Sequence, residues 1–284
     1  MSRKYFGTDG VRGQVGREPM TVDFALRLAN AAARVMAPDG GSVVIGKDTR
    51  VSGYMFESAL EAGFVAAGFD VYMLGPLPTP GIAYITNSFD ANLGVVISAS
   101  HNPFFDNGIK FLDSHGAKLS DEIELQIEAL VDGPVLTRDS SRLGRAKRVD
   151  TARIKYQDFL RSTFPADLDL TGMKIVIDTS HGAGYKVGPR CLAELGAEIV
   201  PIGCSPNGRN INDGCGSTAP EFLQTTVKGV GADLGIALDG DGDRLLMVDE
   251  KGTLLDGDQL LFLSLIHISE PTRRATISRM PSSA

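Results

Sequence analysis

Short apolar runs rich in Val and Ile alternate with segments of helical period along most of this chain, and this alternation restricts the fold more than any other feature. Ser42–Ile45, Val71–Leu74 and Leu93–Ile97 read as buried strands. Between them, Ser52 caps a predicted helix running to about Ala67, with Phe56, Leu60, Phe64 and Ala67 on one face. Thr79–Thr86 is a short helix after a proline-rich turn. Thr21–Met36 precedes the series as a helix with Thr21 at its cap and Asp23 in its first turn. Asp121–Val131 closes it as an amphipathic helix, with Ile123, Ile127 and Leu130 on one face. A second series then begins: helix Ala152–Thr163, strand Lys174–Ile177, helix Val187–Leu195, strand Glu198–Ile202, helix Ala219–Val230 and strand Asp233–Leu238. Alternation of this kind predicts the α/β class, with parallel strands in both halves.

Between the two series, Gly133–Asp150 has a proline, several Ser and Arg and no sustained period, which marks a connection between domains. The expected division is therefore 1–133, a linker at 134–151, and 152–256. Residues 257–263 open a third unit that stops short, and 264–284 form a tail without apolar periodicity, for which disorder is the default. VVISASHNP and IVIDTSHGAG each place Ser-His after a strand, a weak sign that the halves are related.

Composition excludes several classes. Lys plus Arg number 28 against 35 Asp plus Glu, a net charge of −7 that argues against a general nucleic-acid binder. No apolar run approaches the ~18–20 residues that cross a bilayer, so no membrane partner is expected. The N-terminus lacks a secretory h-region. Three cysteines without a C-x-x-C pair make neither a disulfide framework nor a zinc site, and a cytoplasmic setting is the simplest expectation.

The most specific chemistry lies in Asp239-Gly240-Asp241-Gly242-Asp243-Arg244, directly after an apolar run. In an extended or gently turning backbone, residues i, i+2 and i+4 project to one side. Carboxylates so placed repel one another unless a cation sits among them, and their hard oxygens favour Mg²⁺ or Ca²⁺. An EF-hand is rejected, because Arg244 stands where the loop needs Gly and the flanks read as strands. An Asp-x-Asp after a buried strand also suits an aspartyl-phosphate hydrolase centred on Asp239.

Ser98-Ala99-Ser100-His101-Asn102-Pro103 again follows a buried strand, where open α/β sheets bind ligands. Ser100 is a candidate nucleophile or phosphoserine. His101 is a candidate catalytic group and, equally, a histidine bracing the loop; adjacent residues in an extended chain point apart, which disfavours a Ser-His pair. The loop continues through Asn107-Gly108 to Lys110, a candidate acid/base or charge stabiliser. Gly7-Thr8-Asp9-Gly10-Val11-Arg12-Gly13 is a glycine-rich loop able to present N–H groups to an anion, and Arg12 and Arg50 are candidate phosphate ligands, each with a surface-charge alternative.

In order, FGTDGVRG, GKDTR, SASHNPFFDNGIKF and DGDGDR resemble the N-terminal half of the α-D-phosphohexomutases, over about Arg3 to Leu263. The resemblance implies two similar three-layer α/β domains with mixed, mainly parallel sheets and the truncated start of a third. It implies a Mg²⁺-dependent intramolecular phosphotransferase acting on a small hexosamine phosphate, through a phosphoserine enzyme and a bisphosphate intermediate. Ser100 would carry the phosphoryl group, and Asp239, Asp241 and Asp243, with a phosphate oxygen on Ser100, would hold Mg²⁺. Lys110 would be the general acid/base, with Arg12 and Arg244 beside the phosphoryl group. The family's G-E-x-S-G-H and R-x-S-G-T-E-P type loops do not occur, so substrate recognition is expected to be incomplete and the chain inactive alone. Other hexose phosphates as substrate, or a non-catalytic Mg²⁺- or phosphate-binding fragment, are the alternatives.

Overall fold

The computed structural model describes residues 3–255 and 257–262. Its first half is a six-stranded sheet in the order β1-β5-β4-β2-β3-β6. These strands are β1 (Val11–Gln14), β2 (Gly41–Lys47), β3 (Phe69–Pro76), β4 (Leu93–Ile97), β5 (Asp106–Leu112) and β6 (Ala146–Arg148). Its helices are α1 (Val22–Met36), α2 (Ser52–Ala66), α3 (Thr79–Ser88) and α4 (Asp121–Val131). The period of two along each strand sorts the core into two layers. Val43, Ile45, Val95 and Ile97 pack with α1, α2 and α4, through Phe24, Leu28, Phe56, Leu60, Phe64 and Ile127. Val44 and Val96 face the other way, onto Ile82 and Ile85 of α3.

The second half is a five-stranded sheet ordered β11-β10-β9-β7-β8. It contains β7 (Lys174–Asp178), β8 (Glu198–Ile202), β9 (Leu234–Leu238), β10 (Leu245–Asp249) and β11 (Leu254–Leu255), with helices α5 (Ala152–Thr163), α6 (Val187–Glu194) and α7 (Glu221–Val230). Val176 packs with Leu223 and Val227 of α7, while its neighbour Ile177 faces Gly188 of α6. Gly231 ends α7 in the left-handed region, with φ +61°. The halves are in contact through α5: Tyr156 joins the layer beneath α3, and Phe159 stacks on Tyr84 with ring centroids 4.1 Å apart.

Both sheets are mixed, as the resemblance implies, and the alternation of strands and helices accounts only for their parallel pairs. β2 pairs in parallel with β3 and β4, as β7 does with β8 and β9, but β5 returns antiparallel to β4 and β10 antiparallel to β9. The reason is the length of the connections, which are too short for the dozen or more residues of a parallel crossover. The segment read as loop as far as Lys110 is strand β5, with Lys110 opposite Val96, and half of the glycine-rich segment is strand β1, with Val11 opposite Ile109. Ser52 is the first helical residue of α2 rather than its cap, and its Oγ accepts from Asn107 Nδ2 at 2.8 Å. The segment at 134–151 adds β6 to the first sheet, parallel to β3. No described helix is long and apolar enough to cross a membrane. Residues 257–262 are helical, and the expected tail at 264–284 lies outside the described residues.

Candidate active site

Strand β4 delivers Ser98 and Ser100 into a buried loop. Ser100 adopts φ +49°, rare for a residue with a side chain, so the surroundings must hold it there. Part of that hold comes from the end of β2. Asp48 accepts from Ser98 Oγ, and Ser98 Oγ accepts the Ser100 N–H at 3.0 Å. Arg50, wholly buried, is ion-paired with Asp48 and donates to the carbonyl oxygens of Ser100, at 3.2 Å, and Asn102. That burial excludes the surface-charge alternative for Arg50. Its guanidinium braces the loop through Nη1 and Nη2, whose donors are spent on fixed acceptors as a desolvated charge requires, while Nε has no partner.

The aspartate sequence forms the turn between β9 and β10. One carboxylate oxygen from each of Asp239, Asp241 and Asp243 lies within 4.8 Å of the others. Asp239 Oδ1 accepts the N–H groups of Asp243 and Arg244, each at 3.2 Å, while Oδ2 accepts Ser100 Oγ at 2.5 Å. Asp241 Oδ2 accepts from Lys110 Nζ at 3.0 Å and from Thr79 Oγ1 at 2.9 Å. Its Oδ1 is buried without a partner. Glycine is required between them: a Cβ on Gly240 would lie 2.6 Å from the Ser100 carbonyl oxygen, and Gly242 has φ +70°.

The electrostatics follow from this crowding. Burial and the neighbouring Asp241 push the Asp239 carboxyl up, and burial with both partners pushes Asp243 up to about 6. Burial acts on Asp241 in the same direction. There the charge and hydrogen bond of Lys110, with Thr79, outweigh it and hold the carboxyl below the usual range. Burial likewise opposes the charge on Lys110, but Asp241 and Asp9 prevail and raise it. Three hard carboxylates, mutual repulsion and an orphaned buried oxygen fit a divalent cation.

Lys110 Nζ also lies 3.0 Å from Asp9 Oδ2, which pairs in turn with Arg12. Asp9, Arg12 and Arg244 line one open cleft of about 300 Å³ together with Tyr5, Thr8, Gly7 and Gly10. The structure thus brings Ser100, Lys110, Asp239, Asp241 and Asp243 into contact and sets Arg12 and Arg244 beside them. His101 is half-buried with Nδ1 unpartnered, and the Ser100 hydroxyl bonds Asp239 instead. Sequence reasoning assigned no part to Asp9, Thr79 or Asn212. Asp9 had a signal, since it sits within the glycine-rich motif. Thr79 and Asn212 had none, because their partners lie over 100 residues away.

Comparison with known proteins bears on this geometry. The profile of the phosphoglucomutase/phosphomannomutase α/β/α domain I matches residues 3–135, and that of domain II matches residues 155–252. Phosphoglucosamine mutase of Ralstonia pickettii (strain 12J) is 57% identical over 270 residues, covering 93% of this chain and 60% of the relative. That of Alcanivorax borkumensis is 60% identical over 264 residues, covering 93% and 59%. The chain therefore spans about 60% of the length of these curated relatives. Among solved structures, a phosphoglucomutase/phosphomannomutase family protein from Burkholderia thailandensis superposes with a TM-score of 0.79 at 28% identity, over 93% of this chain and 58% of that one.

Proposed function

Since this chain belongs to the phosphoglucomutase/phosphomannomutase family, whose domains I and II it carries in order, we propose that it is the phosphoryl-transfer part of a phosphoglucosamine mutase. The reaction is the interconversion of glucosamine 6-phosphate and glucosamine 1-phosphate through a bisphosphate and a phosphorylated Ser100. The observation that carries this reading is the 2.5 Å contact of Ser100 Oγ, from the first sheet, with Asp239 of the second. It supports the reading because the Ser100 hydroxyl meets one of the three carboxylates that would hold Mg²⁺.

In the half-reaction that charges the enzyme, Ser100 Oγ attacks a phosphoryl group of the bisphosphate. The Oγ–P bond forms as the sugar O–P bond breaks. Lys110, held protonated by Asp9 and Asp241, gives its Nζ proton to the departing sugar oxygen. The Ser100 hydroxyl proton passes to a phosphoryl oxygen, from which the more basic Lys110 recovers it. Arg12 and Arg244, lining the cleft, orient the phosphate. Mg²⁺ held by Asp239, Asp241 and Asp243 would neutralise charge on the phosphoryl oxygens. Reversal onto the other sugar hydroxyl completes the interconversion.

Because the chain spans about 60% of its relatives, the half-reaction is the direct test. The chain is incubated with glucosamine 1,6-bisphosphate and Mg²⁺, and phosphopeptides are mapped. Acid-stable phosphate on Ser100, lost in Ser100→Ala, is expected. Alkali-labile phosphate on Asp239 would replace this reading with an aspartyl-phosphate hydrolase, and binding without any transfer would leave a non-catalytic module.

A further inference from the structure

We propose that Asn212 is a positioning residue for the nucleophile, fixing the Ser100 loop of the first unit from the second unit while Arg50 fixes it from within the first. The inference rests on the reading of Ser100 as phosphoryl acceptor. Asn212 lies in the long connection between β8 and α7. Its backbone is anchored there, since its N–H donates to the Ser180 carbonyl at 2.9 Å, and it adopts φ +58°. Asparagine tolerates that left-handed conformation better than most residues.

The side chain spends both amide hydrogens on the nucleophile loop. Nδ2 donates to the Ser100 carbonyl oxygen at 2.9 Å and to the Asn102 carbonyl oxygen at 3.0 Å. These are the same two carbonyls that Arg50 engages. The contact also abuts the aspartate turn: a Cβ on Gly240 would lie 2.6 Å from the Ser100 carbonyl oxygen and 2.8 Å from Asn212 Nδ2. Nucleophile loop, aspartate turn and Asn212 amide therefore meet at one point. Ser100 sits at φ +49°, which its neighbours must impose. An amide suits the task because it presents two donors to two acceptors. Aspartate of the same shape would set oxygens against oxygens, and glutamine adds a methylene in a tightly packed place. Asn212 touches no reacting atom; it acts by aiming Oγ, and a misplacement of about 1 Å costs on the order of 10²-fold in rate.

The test uses the full chain with Asn212→Gly, which keeps the left-handed backbone and deletes the amide, and Asn212→Asp, which keeps the shape and deletes the donors. The rate of Ser100 phosphorylation is followed against glucosamine 1,6-bisphosphate concentration at fixed Mg²⁺. Both variants are expected to lower the maximal rate by about 10- to 100-fold while leaving the half-saturating concentration unchanged. Hydrogen exchange is expected to quicken across residues 98–106 and to stay unchanged in β7 and β8, a pattern that general destabilisation does not give. Wild-type maximal rate and wild-type exchange in both variants would overturn the proposal. Should the wild-type chain take no phosphate on Ser100, the functional reading falls and exchange alone decides: faster exchange at 98–106 upholds the clamp, unchanged exchange overturns it.

Discussion

Asp241 shows how a single residue couples stability to chemistry. It is fully enclosed, one oxygen is satisfied by Lys110 and Thr79, and the other has no partner. An unpaired buried carboxylate oxygen costs free energy that a bound cation would return. Mg²⁺ at about 100 times its dissociation constant therefore raises the melting temperature by roughly 4–5 °C, corresponding to about 2.7 kcal/mol for a chain of this size. Asp241→Asn removes a charged ligand and abolishes this shift, as a thermal denaturation series with and without EDTA would show. A shift preserved in Asp241→Asn would place the cation elsewhere. Asp239 and Asp243 contribute through the same repulsion, seen in their raised carboxyls.

Among the elements, β2 and α2 are joined by an ion pair with little access to water. Lys47 Nζ lies 2.5 Å from Glu57 Oε2 and 3.7 Å from the centre of the Tyr54 ring, and both charged side chains are almost wholly buried. Glu57 Oε1 has no partner, so Lys47 alone compensates the charge. Lys47→Met strands that carboxylate and is expected to destabilise the chain by about 3–5 kcal/mol. Lys47→Met combined with Glu57→Leu is expected to recover most of the loss. Urea unfolding of both variants measures the difference; a cost below about 1 kcal/mol for the single change would mean that the pair behaves like a surface ion pair. Strand boundaries at this scale were legible where periodicity was strong: β4, α4, α5 and β8 have the bounds expected from sequence. β1 and β5 were not, because glycines and Asn107 imitate turn chemistry there. Asn107 is in fact buried, its amide spent on Ser52 and the Gly108 N–H.

Across the whole molecule, the two sheets meet as one body around the site. Thr49 Oγ1 donates to the His181 carbonyl at 2.5 Å, the Val51 N–H to the Gly208 carbonyl at 2.9 Å, and the Thr79 N–H to the Asp241 carbonyl at 2.9 Å. The Tyr84–Phe159 stack closes the far side of this contact. One cooperative unfolding transition is therefore expected by calorimetry. Phe159→Ala is expected to cost about 2 kcal/mol, below the range for a fully buried ring because Phe159 is partly exposed, and to broaden or split the transition. Two unfolding steps in the unaltered chain would show that the contact does not couple the halves. By itself the sequence determined the α/β class, the placement of Ser100 after one strand and the aspartate trio after another, since apolar period and local motif spacing are properties of neighbouring residues. Only the tertiary structure decided that Arg50 braces the loop, that Asp9 and Asp241 share Lys110, and that Asn212 reaches the Ser100 carbonyl. Those contacts join side chains up to 131 residues apart, and which buried donor finds which acceptor is settled only when the two sheets pack.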